Sequence, residues 1–369
     1  MNARSVRLFT DTPLALREGG ELSGIEVAYE TWGTYDPERS NAVLVCHALT
    51  GDAHVAMHGP DDTPGWWDGI VGPGAVIDTR RFFVICSNVL GGCSGTLGPA
   101  DPGPDGEIWG ESFPVVTIQD MVQTQAALLD ALGVSRLKLV IGGSMGGMQA
   151  LQWAVSHPDR VELCVAVGAT DRMHPMGIAF NEVQRQAIRL DPAFGDGRFP
   201  RGGGPASGLA LARMIATITY RSDPSMQEQF GRRRVPPGSG SRATFEVERY
   251  LHHQGDKLVR RFDARSYLTL SRAMDLFDIY HGSARESLVR SRVKARVRLV
   301  GIASDILFPP EYSRRLVQRL RQDGVRADYR ELTSMYGHDA FLRDIDEMET
   351  AIADLLGEME SACASHSSA

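Results

Sequence analysis

The sequence predicts an α/β protein with a mostly parallel sheet flanked by helices and interrupted by one helical insertion. Two observations carry this prediction. Short apolar runs rich in β-branched residues, typical of buried strands, alternate with amphipathic segments of helical spacing. These runs stop after residue 169 and resume only at residue 296. Strands that alternate with helices in this way are typical of a parallel α/β sheet.

Six buried strands are predicted, four before the interruption and two after it. The predicted strands lie at 41–49, 81–90, 137–143, 161–169, 296–304 and 327–335. The predicted helices lie at 118–133, 147–158 and 310–324, and a final helix precedes the polar tail at 362–369. Their apolar residues recur at helical spacing, which predicts one face packed on the sheet.

The segment between the two sets of predicted strands differs in composition from the rest of the chain. Between residues 173 and 290 the segments are charged and helix-forming, and they contain no buried-strand run. The simplest organisation is one α/β core in two parts, 1–172 and 293–369, split by a helical lid at 173–292.

Composition excludes several classes of protein. The chain has 369 residues, with 39 basic and 46 acidic side chains and a formal net charge of −7, so we expect no nucleic-acid partner. It contains no run of 18 uncharged apolar residues and no apolar core of signal-peptide length at its N-terminus. The five cysteines lack C-x-x-C spacing, and Cys46, Cys86 and Cys164 lie in apolar runs. We therefore expect a cytoplasmic protein without a membrane contact.

Ser144 is the candidate nucleophile. It lies in a G-x-S-x-G pattern between a predicted strand and a predicted helix. A serine in this context sits in a strained turn that raises its hydroxyl above the sheet edge, and side chains at Gly142 and Gly146 would collide with neighbouring backbone. The alternative is a glycine-rich turn with an incidental serine, because the pattern alone is weak in a chain with 39 glycines. The flanking strand and helix favour the nucleophile.

A serine nucleophile needs a histidine base that a carboxylate orients, in the chain order Ser, Asp or Glu, His. Asp305 and His338 each follow a predicted strand of the second half, so both face the edge where parallel strands end. Asp339 is a rival to Asp305, but it is adjacent to the base and cannot easily reach its far ring nitrogen. His47 and His54 flank the loop after the first predicted strand and are candidates to shape the pocket.

The oxyanion of an acyl-transfer intermediate needs two backbone N–H donors. One is predicted at Met145, directly after the nucleophile. The second is predicted at Leu49, in the HALTG loop after the first predicted strand. The HGGG form of many lipases is absent from this loop.

Several motifs together resemble one known family, that of homoserine O-acetyltransferases. The matching segments are CHALTGDAHVA (46–56), PGWWDGIVGPG (64–74), ICSNVLGGCSGTLGP (85–99), GGSMGGMQALQWA (142–154), IAFNEVQRQAI (178–188), LALARMIATITYRS (209–222), YLHHQGDKLVRRFDARSYL (250–268) and YGHDAF (336–341). The resemblance runs from about residue 20 to 355. This family makes O-acetylhomoserine for methionine synthesis.

The resemblance implies an α/β-hydrolase fold with a helical lid, a homodimer formed through the lids and a ping-pong mechanism. Acetyl-CoA would acylate Ser144, with His338 as base and Asp305 as its orienting carboxylate, and the homoserine hydroxyl would then take the acetyl group. Arg213 matches the arginine that binds the substrate carboxylate, and Asp339 matches the aspartate that receives its ammonium. A zwitterionic amino acid needs such a cation and anion at opposite ends of its pocket. Without the resemblance, a solvated arginine and a helix-capping aspartate are the alternatives.

The acyl donor and acceptor vary within this family, because relatives use succinyl-CoA and some acylate serine. In the succinyltransferases an arginine follows the catalytic aspartate, whereas Leu307 stands at that place here. A succinyl carboxylate buried beside leucine would remain unpaired, so we expect acetyl transfer. The expected ligands are L-homoserine and the co-substrate acetyl-CoA, with no cofactor and no metal, since no ligand spacing occurs in the sequence.

Two rivals stay open at this point. The first is a serine hydrolase that uses the same triad with water as the acceptor. The second is an inactive scaffold of the same fold that acts as a binding protein, against which the complete triad in the right order argues.

Overall fold

The computed structural model describes residues 3–236 and 243–366, with 358–366 as helix backbone only. Its centre is an eight-stranded sheet. In chain order the strands are β1 (Arg4–Leu8), β2 (Ile25–Trp32), β3 (Ala42–Cys46), β4 (Phe83–Ser87), β5 (Leu137–Gly143), β6 (Val161–Val167), β7 (Arg296–Ile302) and β8 (Ala327–Leu332). Their spatial order is β1-β2-β4-β3-β5-β6-β7-β8, and all neighbours from β4 onward pair in parallel.

The six predicted strands are confirmed, and β1 and β2 are two further strands that the sequence analysis missed. Both lie at the N-terminal edge, where β1 pairs antiparallel with β2 and β2 pairs antiparallel with β4. The residues of β1 are mostly exposed, and Glu26 and Glu30 interrupt the apolar run of β2. Neither segment therefore has the continuous apolar character by which the other six were found.

The helices are α1 (Ile118–Ala131), α2 (Met145–Ser156), α3 (Pro175–Arg189), α4 (Ala206–Tyr220), α5 (Asp223–Gln229), α6 (Glu246–Val259), α7 (Ala264–Asp275), α8 (Glu286–Arg290), α9 (Pro310–Gln322), α10 (Ala340–Arg343) and α11 (Ile345–His366). Single 3₁₀ turns lie at Gly110–Ser112, Pro192–Phe194 and Gly337–Asp339. Two-residue ribbons pair Leu14–Ala15 with Glu21–Leu22 and Val71–Gly72 with Ile77–Asp78. The final helix extends through His366, so the prediction that it ends before residue 362 is wrong.

The sheet is buried on both faces, and β3 illustrates why its sequence is uniformly apolar. Successive side chains of a strand point to opposite faces. Val43 and Val45 pack in one hydrophobic cluster, which includes residues of α11, and Leu44 and Cys46 pack in the other, which includes residues of α1. A strand covered on both sides needs apolar residues at every position.

Helices α3 to α8 lie between β6 and β7 in the chain. Within this lid, α4 packs against α3 and α6, and α3 also packs against α7. The C-terminal end of α4 contacts the turn at Gly337–Asp339, which follows β8. Among the described residues, no helix is both long and apolar enough to cross a membrane.

Candidate active site

Ser144 lies in the tight turn between β5 and α2. Its backbone has φ +57° and ψ −123°, outside the regions that non-glycine residues ordinarily adopt. Its amide donates to the carbonyl of Val167 at 2.8 Å, which ties the strained residue to the neighbouring strand. The strained turn predicted from the G-x-S-x-G pattern is therefore present.

The glycines of this turn are required by close backbone approach. A Cβ at Gly142 would lie 2.5 Å from the carbonyl oxygen of Cys46, and a Cβ at Gly146 would lie 2.1 Å from the same oxygen. Both distances are far below van der Waals contact. The predicted collisions are confirmed, and they show that the end of β3 packs directly on the turn.

Asp305 and His338 form a hydrogen-bonded pair at the ends of β7 and β8. The Nδ1–H of His338 donates to Oδ2 of Asp305 over 2.6 Å. The other carboxylate oxygen, Oδ1, accepts from the backbone N–H groups of Leu307 and Phe308, each at 2.8 Å. The backbone thus orients the carboxylate, and the carboxylate in turn holds the imidazole in one orientation.

The surroundings of His338 suit a general base. Burial lowers the pKa of His338, but the charge of Asp305 and its hydrogen bond outweigh this effect and leave the pKa raised. Nε2 is buried and has no hydrogen-bond partner among the described residues. The ring stacks on Phe308 with centroids 5.3 Å apart, and Tyr220 lies at 5.7 Å. This nitrogen is available to take a proton from a reacting group.

Gly168, at the end of β6, packs against the histidine–aspartate pair. A Cβ there would lie 3.2 Å from Cε1 of His338 and 3.5 Å from Oδ2 of Asp305, and the backbone has φ +52°. Sequence reasoning missed this glycine because its role depends on a neighbour 170 positions away in the chain.

One predicted oxyanion donor begins the helix after the nucleophile turn, and the other lies in the loop after β3. Met145 is the first residue of α2, where helical N–H groups have no partner within the helix. Leu49 lies in the loop after β3, and its amide has no backbone acceptor within the described part of the chain. His47 fixes this loop, since its Nδ1–H donates to the carbonyl of Ala48 and its Nε2 accepts from the amide of Val89.

A cavity of about 1070 Å³ joins these groups to the proposed substrate residues. Ser144, His338, Leu49, Arg213 and Asp339 all line it. Such a volume is at the upper end for small-molecule sites, and it accommodates a long donor and a small acceptor. Asp305 and Met145 do not line the cavity, but Asp305 is hydrogen-bonded to His338, and Met145 is buried directly after Ser144.

Arg213 and Asp339 are close but unpaired. Within the described residues, Arg213 has neither a hydrogen bond from its guanidinium nor a carboxylate within 4 Å, and its Cζ lies 5.4 Å from the ring centroid of Tyr220. Burial raises the pKa of Asp339, and the positive charge of Arg213 counteracts this effect. A free cation and a partly desolvated carboxylate in one cavity fit a ligand that carries both charges.

Comparison with known proteins agrees with this geometry. A family model described as alpha/beta hydrolase fold matches residues 41–344. A homoserine O-acetyltransferase of Symbiobacterium thermophilum is 52% identical over 358 residues, which cover 95% of this chain and 94% of that protein. The chain belongs to the homoserine O-acetyltransferase family.

Solved structures place this family member near both transferases and esterases. A homoserine O-acetyltransferase from Bacillus anthracis matches with a TM-score of 0.88 and 29% identity, over 95% of this chain and 96% of that one. Esterase E22 matches with a TM-score of 0.87 and 28% identity, over 96% of this chain and 99% of that one. The fold is thus shared by proteins named as acetyltransferases and as esterases.

Three cavity residues of this family member were missed by sequence reasoning. They are Tyr220, Lys257 and Arg261. Burial raises the pKa of Tyr220, so its hydroxyl stays a proton donor, and Arg261 donates to the carbonyl of Thr50 at 2.5 Å. The charged residues around Lys257 and Arg261 are typical of a solvated surface, so no sequence signal separated these side chains from exposed ones.

Leu307 packs in the interior of this family member. The Leu307 side chain is buried in the hydrophobic core, its amide donates to Asp305, and its carbonyl accepts from Nε2 of His174 at 2.7 Å. The position at which the succinyltransferases carry an arginine is therefore apolar in this chain.

The lid is fixed to the turn that carries the base. The hydroxyl of Ser222, just after α4, donates to the carbonyl of Met335. A Cβ at Gly337, whose φ is +66°, would lie 2.6 Å from the carbonyl oxygen of Tyr220. The end of α4 and the His338 turn therefore pack in direct backbone contact.

Proposed function

We propose that this chain is an L-homoserine O-acetyltransferase that transfers acetyl from acetyl-CoA to L-homoserine through an acyl-Ser144 intermediate, in methionine biosynthesis. The observation that carries the proposal is one cavity in which a serine triad faces an unpaired arginine and aspartate. The names of the relatives support the same reaction. The reaction uses no cofactor and no metal, because acetyl-CoA supplies the group that is transferred.

The first half-reaction acylates the enzyme. Nε2 of His338 takes the proton of the Ser144 hydroxyl while Oγ attacks the thioester carbonyl of acetyl-CoA. The developing oxyanion accepts hydrogen bonds from the amides of Met145 and Leu49. Collapse of the tetrahedral intermediate breaks the C–S bond, and the CoA thiolate leaves with the proton from His338.

The second half-reaction transfers the acetyl group. Homoserine binds with its carboxylate on Arg213 and its ammonium on Asp339, so that its side-chain hydroxyl reaches the acyl-serine. His338 takes the hydroxyl proton as the oxygen attacks the ester carbonyl. The second intermediate then releases Oγ of Ser144, which regains its proton from His338.

Acetyl as the transferred group is supported by an apolar environment after Asp305. Leu307 is buried in the core and supplies no cation, so a succinyl carboxylate would lack the charged partner that an arginine at this position provides. Lys257 and Arg261 line the cavity and supply positive charge for the phosphates of CoA. O-succinyl transfer and serine as acceptor are the alternatives that the experiment below separates.

A serine esterase is the second candidate, and the similarity to esterase E22 favours it. Water as the acyl acceptor needs no charged side chains to bind it, whereas an amino acid does. The unpaired Arg213 beside Asp339 therefore favours a zwitterionic acceptor over water.

A second copy of the chain is the proposed partner, in a homodimer formed through the lid. Apolar side chains are exposed on both α3 and α4, which is unusual for a surface in contact with water. They are Met176, Ile178 and Val183 on α3, Leu190 directly after it, and Leu211 and Ile218 on α4. We place the protein in the reducing cytoplasm, where the free thiols of Cys46, Cys86, Cys93 and Cys164 are stable.

The decisive experiment combines a donor and acceptor matrix with intact mass. Wild-type protein mixed with acetyl-CoA alone should gain one acetyl mass, and Ser144→Ala should gain none. CoA release should require acetyl-CoA rather than succinyl-CoA, and L-homoserine rather than L-serine. Preference for succinyl-CoA would refute the donor assignment, and CoA release that proceeds equally without any amino acid would favour the esterase.

The dimer is tested by placing a charge on the lid face. Val183→Glu should convert the dimer to a monomer in light scattering, because a buried unpaired carboxylate opposes association. Leu288→Glu, at an exposed leucine of α8, is the matched control and should leave the dimer intact. A wild-type monomer at all concentrations would refute the dimer.

A further inference from the structure

A cluster of one glutamate and two histidines lies beside the cavity, which Glu30 and His54 line. Glu30 comes from β2 and is 4% exposed, and His54 and His58 come from the segment after β3. Nδ1 of His54 and Nε2 of His58 lie 2.9 and 2.8 Å from the same carboxylate oxygen, Oε2 of Glu30. The three ligand-type atoms all lie within 4.8 Å of one another.

In its neutral form, His54 directs a lone pair at that carboxylate. Its Nε2 is 2.8 Å from the carbonyl oxygen of Thr63, which can only accept, so Nε2 carries the proton. In a neutral ring Nδ1 is then an acceptor, facing another acceptor in Glu30. Two acceptors at this distance repel each other unless a cation lies between them.

We propose that Glu30, His54 and His58 bind one zinc-class divalent ion. Two imidazole nitrogens and one carboxylate oxygen form a ligand set that zinc commonly uses, with a fourth position left for water. A metal-binding histidine usually donates its other ring N–H to a carbonyl or carboxylate, as His54 does to Thr63. The ring of His58 is held by stacking on Trp32, with centroids 4.7 Å apart.

The two spacings between Glu30 and the histidines require only a small adjustment to accept the ion. Zinc lies about 2.0 to 2.2 Å from nitrogen and oxygen ligands, so tetrahedral ligands are a little over ~3 Å apart. The present spacings of 2.8 and 2.9 Å differ from this by a few tenths of an ångström. Both histidines are only partly buried, on a loop, and can move by this amount.

The ion would connect two parts of the cavity wall without taking part in acyl transfer. Glu30 belongs to the sheet, whereas His54 follows the loop that carries Leu49. Sequence spacing did not predict this site, because its carboxylate precedes the first histidine by 24 positions and lies on a strand, whereas both histidines lie on a loop. Binding should therefore stabilise the fold rather than supply chemistry.

The test uses Co²⁺ and Zn²⁺ with the full-length protein freed of metal by a chelator. Wild type should bind one Co²⁺ per chain with the intense visible d–d absorption of a tetrahedral site, and Zn²⁺ should displace it. Saturating Zn²⁺ should raise the Tm, because only the folded chain holds the three ligands together. His58→Gln and Glu30→Gln should each weaken binding at least about tenfold. His253→Gln, an exposed histidine on α6, is the matched control and should bind as wild type.

Circular dichroism shows whether each variant is folded. If Glu30→Gln fails to fold, His58→Gln still decides the result, since His58 is only partly buried. Absence of stoichiometric Co²⁺ binding by the wild type would overturn the proposal, and a doubly protonated His54 in NMR spectra would then identify a proton as the bridging cation. Equal binding by the wild type and His58→Gln would overturn it as well. These outcomes are independent of which acyl acceptor the enzyme uses, because no substrate is present.

Discussion

The two ends of the catalytic cavity are built in opposite ways. At the triad end, the backbone fixes each group: Asp305 accepts two amide hydrogen bonds and one from His338, and Ser144 is held in a strained turn. At the acceptor end, neither Arg213 on a lid helix nor Asp339 has an ion-pair partner in the described part of the chain. At one end the protein itself orients the charged groups, and at the other end they are left for a ligand to pair.

The two ends of the cavity use interaction energy in different ways. A preorganised triad spends no binding energy on arranging itself during the reaction. Unpaired charges in the acceptor end instead make binding depend strongly on a ligand that satisfies both. Substitutions at the two ends should therefore have different kinetic signatures.

The largest effect is expected from Asp305→Asn at the triad end. Asparagine can still accept from the amides of Leu307 and Phe308, but its amide favours the wrong tautomer of His338. We expect kcat to fall about 10⁴-fold with little change in KM. Asp323→Asn, which alters a partly buried carboxylate paired with Arg290, is the control for stability. A loss under about tenfold would contradict the assigned orienting role.

The pH profile of the residual activity is a second test of the role of Asp305. The charge of Asp305 raises the pKa of His338, and a general base must be neutral to act. Removal of that charge lowers the pKa, so the acid limb of kcat/KM should move to lower pH in Asp305→Asn than in wild type. Movement to higher pH would argue that another group controls this limb.

Arg213→Ala should impair use of the acceptor without affecting the triad. We expect kcat/KM for homoserine to fall roughly 10²-fold or more, as when one partner of a buried charge pair is removed. Acetylation of Ser144 by acetyl-CoA and cleavage of a small activated ester should remain close to wild type. Arg260→Ala, at an exposed arginine after α6, is the matched control. Equal loss of both activities would refute the role of Arg213 in binding the acceptor.

The smallest effect is expected from Gly168→Ala, which perturbs the triad without removing a group. Gly133 also has a positive φ, +72°, but a Cβ there would meet nothing within 4 Å. Both substitutions should cost about 1 to 2 kcal/mol of stability from backbone strain. Only Gly168→Ala should also lower kcat, by about tenfold, because its methyl group displaces His338. Identical kcat values for the two variants would show that Gly168 does not position the base.

The extent to which sequence predicted structure also differs between the two ends. The triad could be found because parallel strands are continuous apolar runs, and chain order then selects Asp305 and His338 at their ends. Arg213 and Asp339 came only from family resemblance, since neither a lid arginine nor an aspartate beside the base has a distinctive local pattern.

What the sequence could not predict depends on contacts between distant segments. Tyr220 is an ordinary helix-end tyrosine until the fold places its ring beside His338. Glu30 is only a polar interruption in the apolar run of β2 until the fold brings two histidines to its carboxylate. Spacing along the chain does not show which distant residues contact each other.

The contact between the end of α4 and the Gly337 turn limits how this protein can be recombined with its relatives. The lid is one uninterrupted piece of sequence, so a chimera that exchanges it alone is simple to make. Such a chimera would nevertheless place a foreign version of residues 220–222 against the recipient's turn at 335–337, where backbone approach leaves no room for a side chain. The two segments must be exchanged together. The lid is modular in the gene but not in the folded protein.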